Sequence, residues 1–192
     1  MINTPIVIEK TVKGEYSCDI YSKFLKNRII FLNGTISEES SNSIITQILY
    51  LDMENNEDIQ MYINSNGGDV YSGLAIYDIM QYVNSEINTI CLGVASSMAA
   101  LLLSSGSKGK RFCYNNSRIM IHQPMGGSRG QASDMRIQTN EILFLKKKIN
   151  KIFSKNTNKS FKIIKKNTNR DYFMSPFKSL NYGLVDFIIF NK

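Results

Sequence analysis

The chain has 192 residues, with 23 Lys and Arg against 16 Asp and Glu for a formal charge of +7, and 43% of it is hydrophobic. That length is enough to close one core in a single domain spanning residues 1–192, and the composition excludes a disordered polyelectrolyte, a collagen and a disulfide-stapled scaffold. Three cysteines (Cys18, Cys91, Cys113) with no C-x-x-C spacing give neither a disulfide framework nor a four-ligand zinc site, which points to a reducing compartment.

Taken in chain order, the pattern alternates strand and helix. Residues 1–8 lack the basic start, long apolar run and cleavage site of a secretory signal, so none is expected. Arg28 to Asn33 reads as a short strand ended by Gly34. Ser37 with Glu38 and Glu39 then reads as an N-cap with acids in the first turn of a helix, whose stripe is Ile44, Ile45, Ile48, Leu49 and Met53. Ile59 to Asn64 is the next strand, broken by Ser65-Asn66-Gly67-Gly68, and Val70 to Tyr82 returns to helix spacing.

Ile87 to Ser107 is 21 residues without a charge, long enough to cross a bilayer. Its five serines and the break at Gly93 predict instead two buried elements, a strand at 87–92 and a short helix at 97–103. Arg111 to Tyr114 and Arg118 to Ile121 read as short strands, followed by a Gly-rich segment at 125–130 and a long helix from about Gln131 to Ser154. Ser175-Pro176 opens a last helix, Gly183 closes it, and Leu184 to Phe190 is a last strand. Such βα repeats predict an α/β domain with parallel pairing.

The positive charge is concentrated. Lys146 to Arg170 holds ten cations and no acid, so the other 13 cations against 16 acids leave −3 for the rest of the chain. Ile142, Leu145, Ile149, Ile152 and Phe153 recur there at helical spacing with most lysines on the other side. A solvated helix face is expected, and no nucleic-acid partner.

Four places could carry chemistry, each with a plainer reading beside it. Gly67-Gly68 follows a strand, where bare backbone can present N–H groups to an oxyanion or can simply turn. At Gly93 to Ala100 a strand meets a helix among small residues, so Ser96 or Ser97 is either a nucleophile at a helix start or only a cap. His122, the sole histidine, excludes a multi-His metal centre within one chain and is the one candidate base, or a structural residue. Asp171 could orient an imidazole, pair with Arg170 or cap a turn.

Together, Tyr62-Ile-Asn-Ser-Asn-Gly-Gly68, Ala95-Ser-Ser-Met98, Arg118-Ile-Met-Ile-His-Gln-Pro124, Gly126-Gly127 with Gly130-Gln131-Ala132, Arg170-Asp171 and Tyr182-Gly-Leu-Val-Asp186 resemble ClpP, the peptidase of the Clp proteolytic machine. The resemblance covers nearly the whole chain. It implies a crotonase-like α/β domain of repeated β-β-α units, with an N-terminal axial segment (1–20) and a protruding handle (about 123–155) made of the long helix and a Gly-rich strand.

The resemblance also implies a serine endopeptidase, with Ser97 as nucleophile, His122 as general base and Asp171 orienting the imidazole. It implies an oxyanion hole of the Gly68 and Met98 N–H groups, and substrate binding by strand addition along Gly126 and Gly127. Two stacked seven-membered rings would enclose a chamber, into which a Clp-family AAA+ ATPase threads unfolded proteins after docking on apolar pockets that include Tyr62 and Tyr82. No metal or organic cofactor is implied, the chain has no nucleotide-binding loop of its own, and a cytoplasmic or organelle-interior location follows.

Asn66 stands where the family usually has Pro, Val94 where a polar residue is common, Ala99 where Gly is common, and Asn169 where an acid is common. Two other readings stay open at this point. One is an acyl-CoA enzyme of the crotonase type, which needs no Ser97–His122 pair. The other is a non-catalytic ring subunit.

Overall fold

The computed structural model describes residues 5–11, 14–127 and 129–190. Of the expected axial segment, residues 1–4, 12 and 13 lie outside the described residues, as does Ser128 of the Gly-rich segment. The chain opens with an antiparallel hairpin of β1 (Ile6–Thr11) and β2 (Gly14–Asp19) and a short helix α1 (Ile20–Leu25). Asp19 caps α1 by accepting from the Ser22 N–H and hydroxyl, and those bonds hold its carboxyl below the usual range.

The main sheet runs β3 (Ile29–Ile36), β4 (Ile59–Gly68), β5 (Ile87–Ser96), β6 (Arg111–Tyr114) and β9 (Phe187–Ile189), paired in that order and all parallel. Parallel strands need crossovers, and the helical spacing between them supplies these as α2 (Glu38–Glu54), α3 (Val70–Tyr82) and α4 (Met98–Ser104). β4 alternates buried Ile59, Met61 and Ile63 with half-buried Gln60 and Tyr62, so one of its faces meets the core.

All seven residues of α4 are buried. At roughly 1.5–3 kcal/mol per fully buried large apolar side chain, Leu101, Leu102 and Leu103 make this short helix a main anchor of the core. The other sheet face carries aromatic pairs, Phe31 stacked on Tyr62 and Phe112 on Phe187.

Two buried arginines tie the elements together. Arg111, 2% exposed, bonds the Asp186 carboxylate at 2.6 and 2.8 Å and donates to the carbonyls of Ser104 and Asn156, so it joins the ends of α4 and α5 (Ala132–Thr157) to the approach of β9. Arg28 donates to the carbonyls of Leu51, Asn55 and Glu57, satisfying the end of α2 and the loop after it.

Several expectations hold. Ser37 caps α2 in a capping box with Ser40, Ser175 caps α7 (Pro176–Tyr182), and Gly183 closes α7 at φ +91°. The uncharged segment 87–107 is indeed a strand and a helix, and among the described residues no helix is long and apolar enough to cross a membrane.

Others need correction. β4 and β5 run past their expected ends, through Gly68 and to Ser96, while β9 is shorter than the apolar run at 184–190. The α2 stripe is Ile44, Ile48 and Leu51, a strict i, i+4, i+7 row, and Met53 falls off it at 87% exposure. The helix after the Gly-rich segment begins at Ala132, with Gln131 at the N-cap, and ends at Thr157. Residues 125–127, 129 and 130 join neither sheet within this chain, so no Gly-rich strand is paired there. The hairpin, α1, α6 (Phe161–Asn167) and β8 (Tyr172–Met174) were not expected at all.

Candidate active site

The site is assembled by strand register. The first half of β5 pairs with β6 (Thr89↔Arg111 to Cys91↔Cys113), and its second half pairs with β7 (Arg118–Ile121), from Val94↔Arg118 to Ser96↔Met120. Between the two halves lies Gly93 at φ +67°, with the Asn64 amide oxygen accepting from the Val94 N–H at 3.3 Å. A strand that changes partner part-way opens the sheet beyond its carboxyl ends, where ligands of parallel sheets usually bind.

Ser97 is the residue after β5, and His122 is the residue after β7, so parallel pairing leaves them side by side. β8 runs antiparallel to β7 with Ile121 opposite Tyr172, which sets Asp171 beside His122 from the other direction. Three separate segments therefore deliver their side chains to one point. His122 Nε2 lies 2.9 Å from Ser97 Oγ, and His122 Nδ1 lies 3.1 Å from Asp171 Oδ1. A carboxylate only accepts, so Nδ1 carries the ring proton and Nε2 is left to accept the serine proton.

Ser97 lacks the bond that a helix cap makes. It occupies the N-cap position of α4, yet its side chain makes no capping bond and its backbone is at φ +56°, ψ −121°. Caps favour extended backbone, and a non-glycine residue at positive φ is strained. The turn thereby aims Oγ at the imidazole. Ser96 sits in the strand at 3% exposure, which separates the doubled serines.

The paired glycines lie against this turn. A Cβ on Gly67 would sit 2.7 Å from the Ser96 carbonyl, 2.8 Å from Ser97 Cβ and 3.1 Å from the Met98 N, so only a bare α-carbon fits. The Gly67 N–H is already given to Ser65 Oγ at 3.0 Å. Asp69 N–H donates to the Ile36 carbonyl on the β3 side, and since N–H directions alternate along extended backbone, that of Gly68 faces away from β3. Met98 opens α4, where main-chain N–H groups have no partner within the helix.

Gly126 and Gly127 are exposed and follow closely after His122. Gly126 packs so tightly on Ile142 of α5 that a Cβ would come within 2.6 Å of its Cδ1, whereas Gly127 has open space around it. The bare approach of Gly67 to Ser96 and Ser97 was not foreseen in the sequence, and its one signal there is the glycine pair itself.

Of the residues that depart from the family pattern, Ala99 is fully buried in α4, and the Asn169 carbonyl accepts from the Gln123 side chain at 2.9 Å. Tyr62 is half-buried, its phenol pushed up by burial and by Tyr114, and Tyr82 is 78% exposed.

The family profile for Clp protease matches residues 12–192. The chain is 52% identical over 186 residues to the ATP-dependent Clp protease proteolytic subunit 2 of Synechococcus sp. (strain CC9605), covering 96% of this chain and 94% of that protein. It is 51% identical over 189 residues to proteolytic subunit 1 of Prochlorococcus marinus (strain MIT 9312), covering 98% and 97%. It is 50% identical over 192 residues to the proteolytic subunit of Carsonella ruddii (strain PV), covering 100% and 99%. Agreement of this extent over both whole chains, on an α/β fold with a parallel sheet, means that the chain belongs to the Clp protease family of serine peptidases, as a proteolytic subunit.

Proposed function

We propose that this subunit is catalytically competent and cleaves unfolded polypeptides by acyl transfer through Ser97. The observation that carries the reading is the continuous hydrogen-bonded row Ser97 Oγ, His122 and Asp171. His122 Nε2 takes the Ser97 proton as Oγ attacks the scissile carbonyl, then returns it to the leaving amine. Asp171 holds the tautomer and balances the imidazolium. The N–H groups of Gly68 and Met98 receive the oxyanion, and water resolves the acyl-enzyme by the same route in reverse.

The extended substrate adds as a strand along Gly126 and Gly127, where backbone without side chains allows recognition independent of sequence. In the assembly, residues 5–11 and 14–20 of the N-terminal segment line the axial entrance, and residues 123–127 and 129–155 form a handle between two stacked seven-membered rings. Exposed Met125, Ile137 and Phe144 on that region are the apolar surface such a contact would cover. A Clp-family AAA+ ATPase docks near Tyr62 and Tyr82 and feeds the chamber in the cytoplasm.

The test is hydrolysis of a fluorogenic peptide together with labelling by a serine-directed phosphonate. Turnover and labelling that vanish in Ser97→Ala and persist in Ser96→Ala support the reading. A purified particle that neither turns over peptide nor takes the label, with or without the ATPase, leaves a non-catalytic ring subunit in its place.

A further inference from the structure

The Asp171 side chain is 60% exposed, and its one hydrogen-bond partner among the described residues is His122. Among the described residues no other group grips the carboxylate, so its aim is set by the backbone of the segment that carries it. That segment is fastened from two directions. Thr168 Oγ1, fully buried, lies 3.0 Å from Asn150 Oδ1 of α5, itself 2% exposed. One residue on, the Asn169 carbonyl accepts from Gln123 Nε2 at 2.9 Å, and Gln123 Oε1 accepts from Lys146 Nζ of α5 at 2.5 Å.

The direction of this relay is unambiguous. An ammonium only donates and a carbonyl only accepts, so one orientation of the Gln123 amide alone satisfies both ends. Gln123 is the residue after His122, and Asn169 lies two before Asp171. A single amide thus clasps the two backbone segments that carry the base and its orienting acid, and α5 holds the clasp through Lys146.

We propose that Gln123 and Lys146 are positioning residues that keep His122 and Asp171 at bonding distance, so that the ring tautomer is held for proton transfer. This rests on the reading of Ser97, His122 and Asp171 as catalytic, and it adds two residues that touch neither substrate nor reacting atoms. Lys146 belongs to the acid-free basic run, but it is half-buried and turned inward, unlike its exposed neighbours Lys147 and Lys148. A misplacement of about 1 Å at an oriented pair slows catalysis by up to about a hundredfold, so a smaller slack here corresponds to a smaller loss.

The experiment compares Lys146→Met, Lys146→Arg, Gln123→Glu and, as control, Lys162→Met, an exposed lysine of α6 outside the handle, in the full-length assembled protein. Gln123→Glu keeps an acceptor for Lys146 but loses the donor to Asn169. Lys146→Met and Gln123→Glu are each expected to lower kcat on a small peptide about tenfold, with KM within about twofold and the thermal midpoint little moved. Lys146→Arg should recover most of the loss. The double variant should be no worse than its worse parent, since both break one relay. Lys162→Met should match the parent.

A second measurement does not depend on turnover. The chain has one imidazole, so the Nδ1–H of 15N-labelled histidine is a single resonance, and its exchange with water should quicken about tenfold in both variants, also in a Ser97→Ala background. Unchanged kcat and unchanged exchange overturn the proposal, as does a loss that tracks KM and thermal midpoint without rescue by Arg. A wild type without peptidase activity whose imidazole exchange still responds to Lys146→Met leaves the clasp standing and sinks the catalytic reading alone.

Discussion

The N–H of Ser97 donates to the carbonyl of Met120 at 2.9 Å, the bond that closes the β5–β7 ladder at the pair Ser96↔Met120. That bond sets the strained serine turn against the strand that ends at His122. The 2.9 Å reach from Ser97 Oγ to His122 Nε2 is therefore a property of backbone register more than of side-chain choice.

Gly67→Ala is expected to cost about a hundredfold or more in peptide turnover while the particle still assembles. Its new methyl would press on Ser96 and Ser97 at a φ of +90° that side chains rarely adopt. Gly68→Ala should act differently, because its Cβ would meet the Ile36 carbonyl oxygen at 2.1 Å and force β3 from β4. A loss of several kcal/mol and of soluble protein is expected there. Turnover beside thermal melting separates the two effects.

Asp171→Asn keeps the shape but lets the side-chain amide donate to Nδ1, which favours the wrong tautomer. Steady-state kinetics should show kcat down by about 10⁴ with KM little changed, as for the same change in other triads.

Asp186→Asn should destabilise the fold by about 3–5 kcal/mol, since it leaves the guanidinium of buried Arg111 without its counter-charge. Burial pushes the Asp186 carboxyl up, but the hydrogen bonds and charge of Arg111 with the Gly109 N–H outweigh it, and the group ends below the usual carboxylate range. A depressed carboxyl contributes stability that is complete above its unfolded value near about 4 and is lost as pH falls through the lower folded value. Urea melts from pH 7 to pH 2 should show an acid-side fall in the parent that is shallower in Asp186→Asn.

Thiol titration at pH 8 should find one reactive cysteine per folded chain and three after denaturation. Burial pushes Cys91 up to about 12 and Cys113 up to about 11, which keeps both as inert thiols, whereas Cys18 is only half-buried.

The legible parts of this chain were those written in local chemistry. Ser37, Ser175-Pro176 and Gly183 announce helix ends, and Leu145, Ile149, Ile152 and Phe153 a buried stripe, because capping and periodicity act within a few residues. Gly93 misled because a glycine among small residues looks like a break, yet Asn64 from the neighbouring strand lies beside it and lets β5 continue. α6 and β8 are too short to show a period above their lysine-rich and aromatic surroundings. The serine–histidine–aspartate set was readable as a pattern of blocks, whereas the tight seat of Gly67 and the Gln123 clasp depend on contacts between segments far apart in sequence.

The fork in β5 makes the stretch from Gly93 to His122 behave like a ruler. β6 and β7 lie end to end along the same strand, joined by a turn in which Ser117 Oγ donates to the Cys91 carbonyl at 2.9 Å and Ser117 N–H to that of Tyr114 at 3.0 Å. One residue added to that turn would turn the imidazole to the opposite face of the sheet. Length variation across descendants of this gene should therefore be absent from that interval.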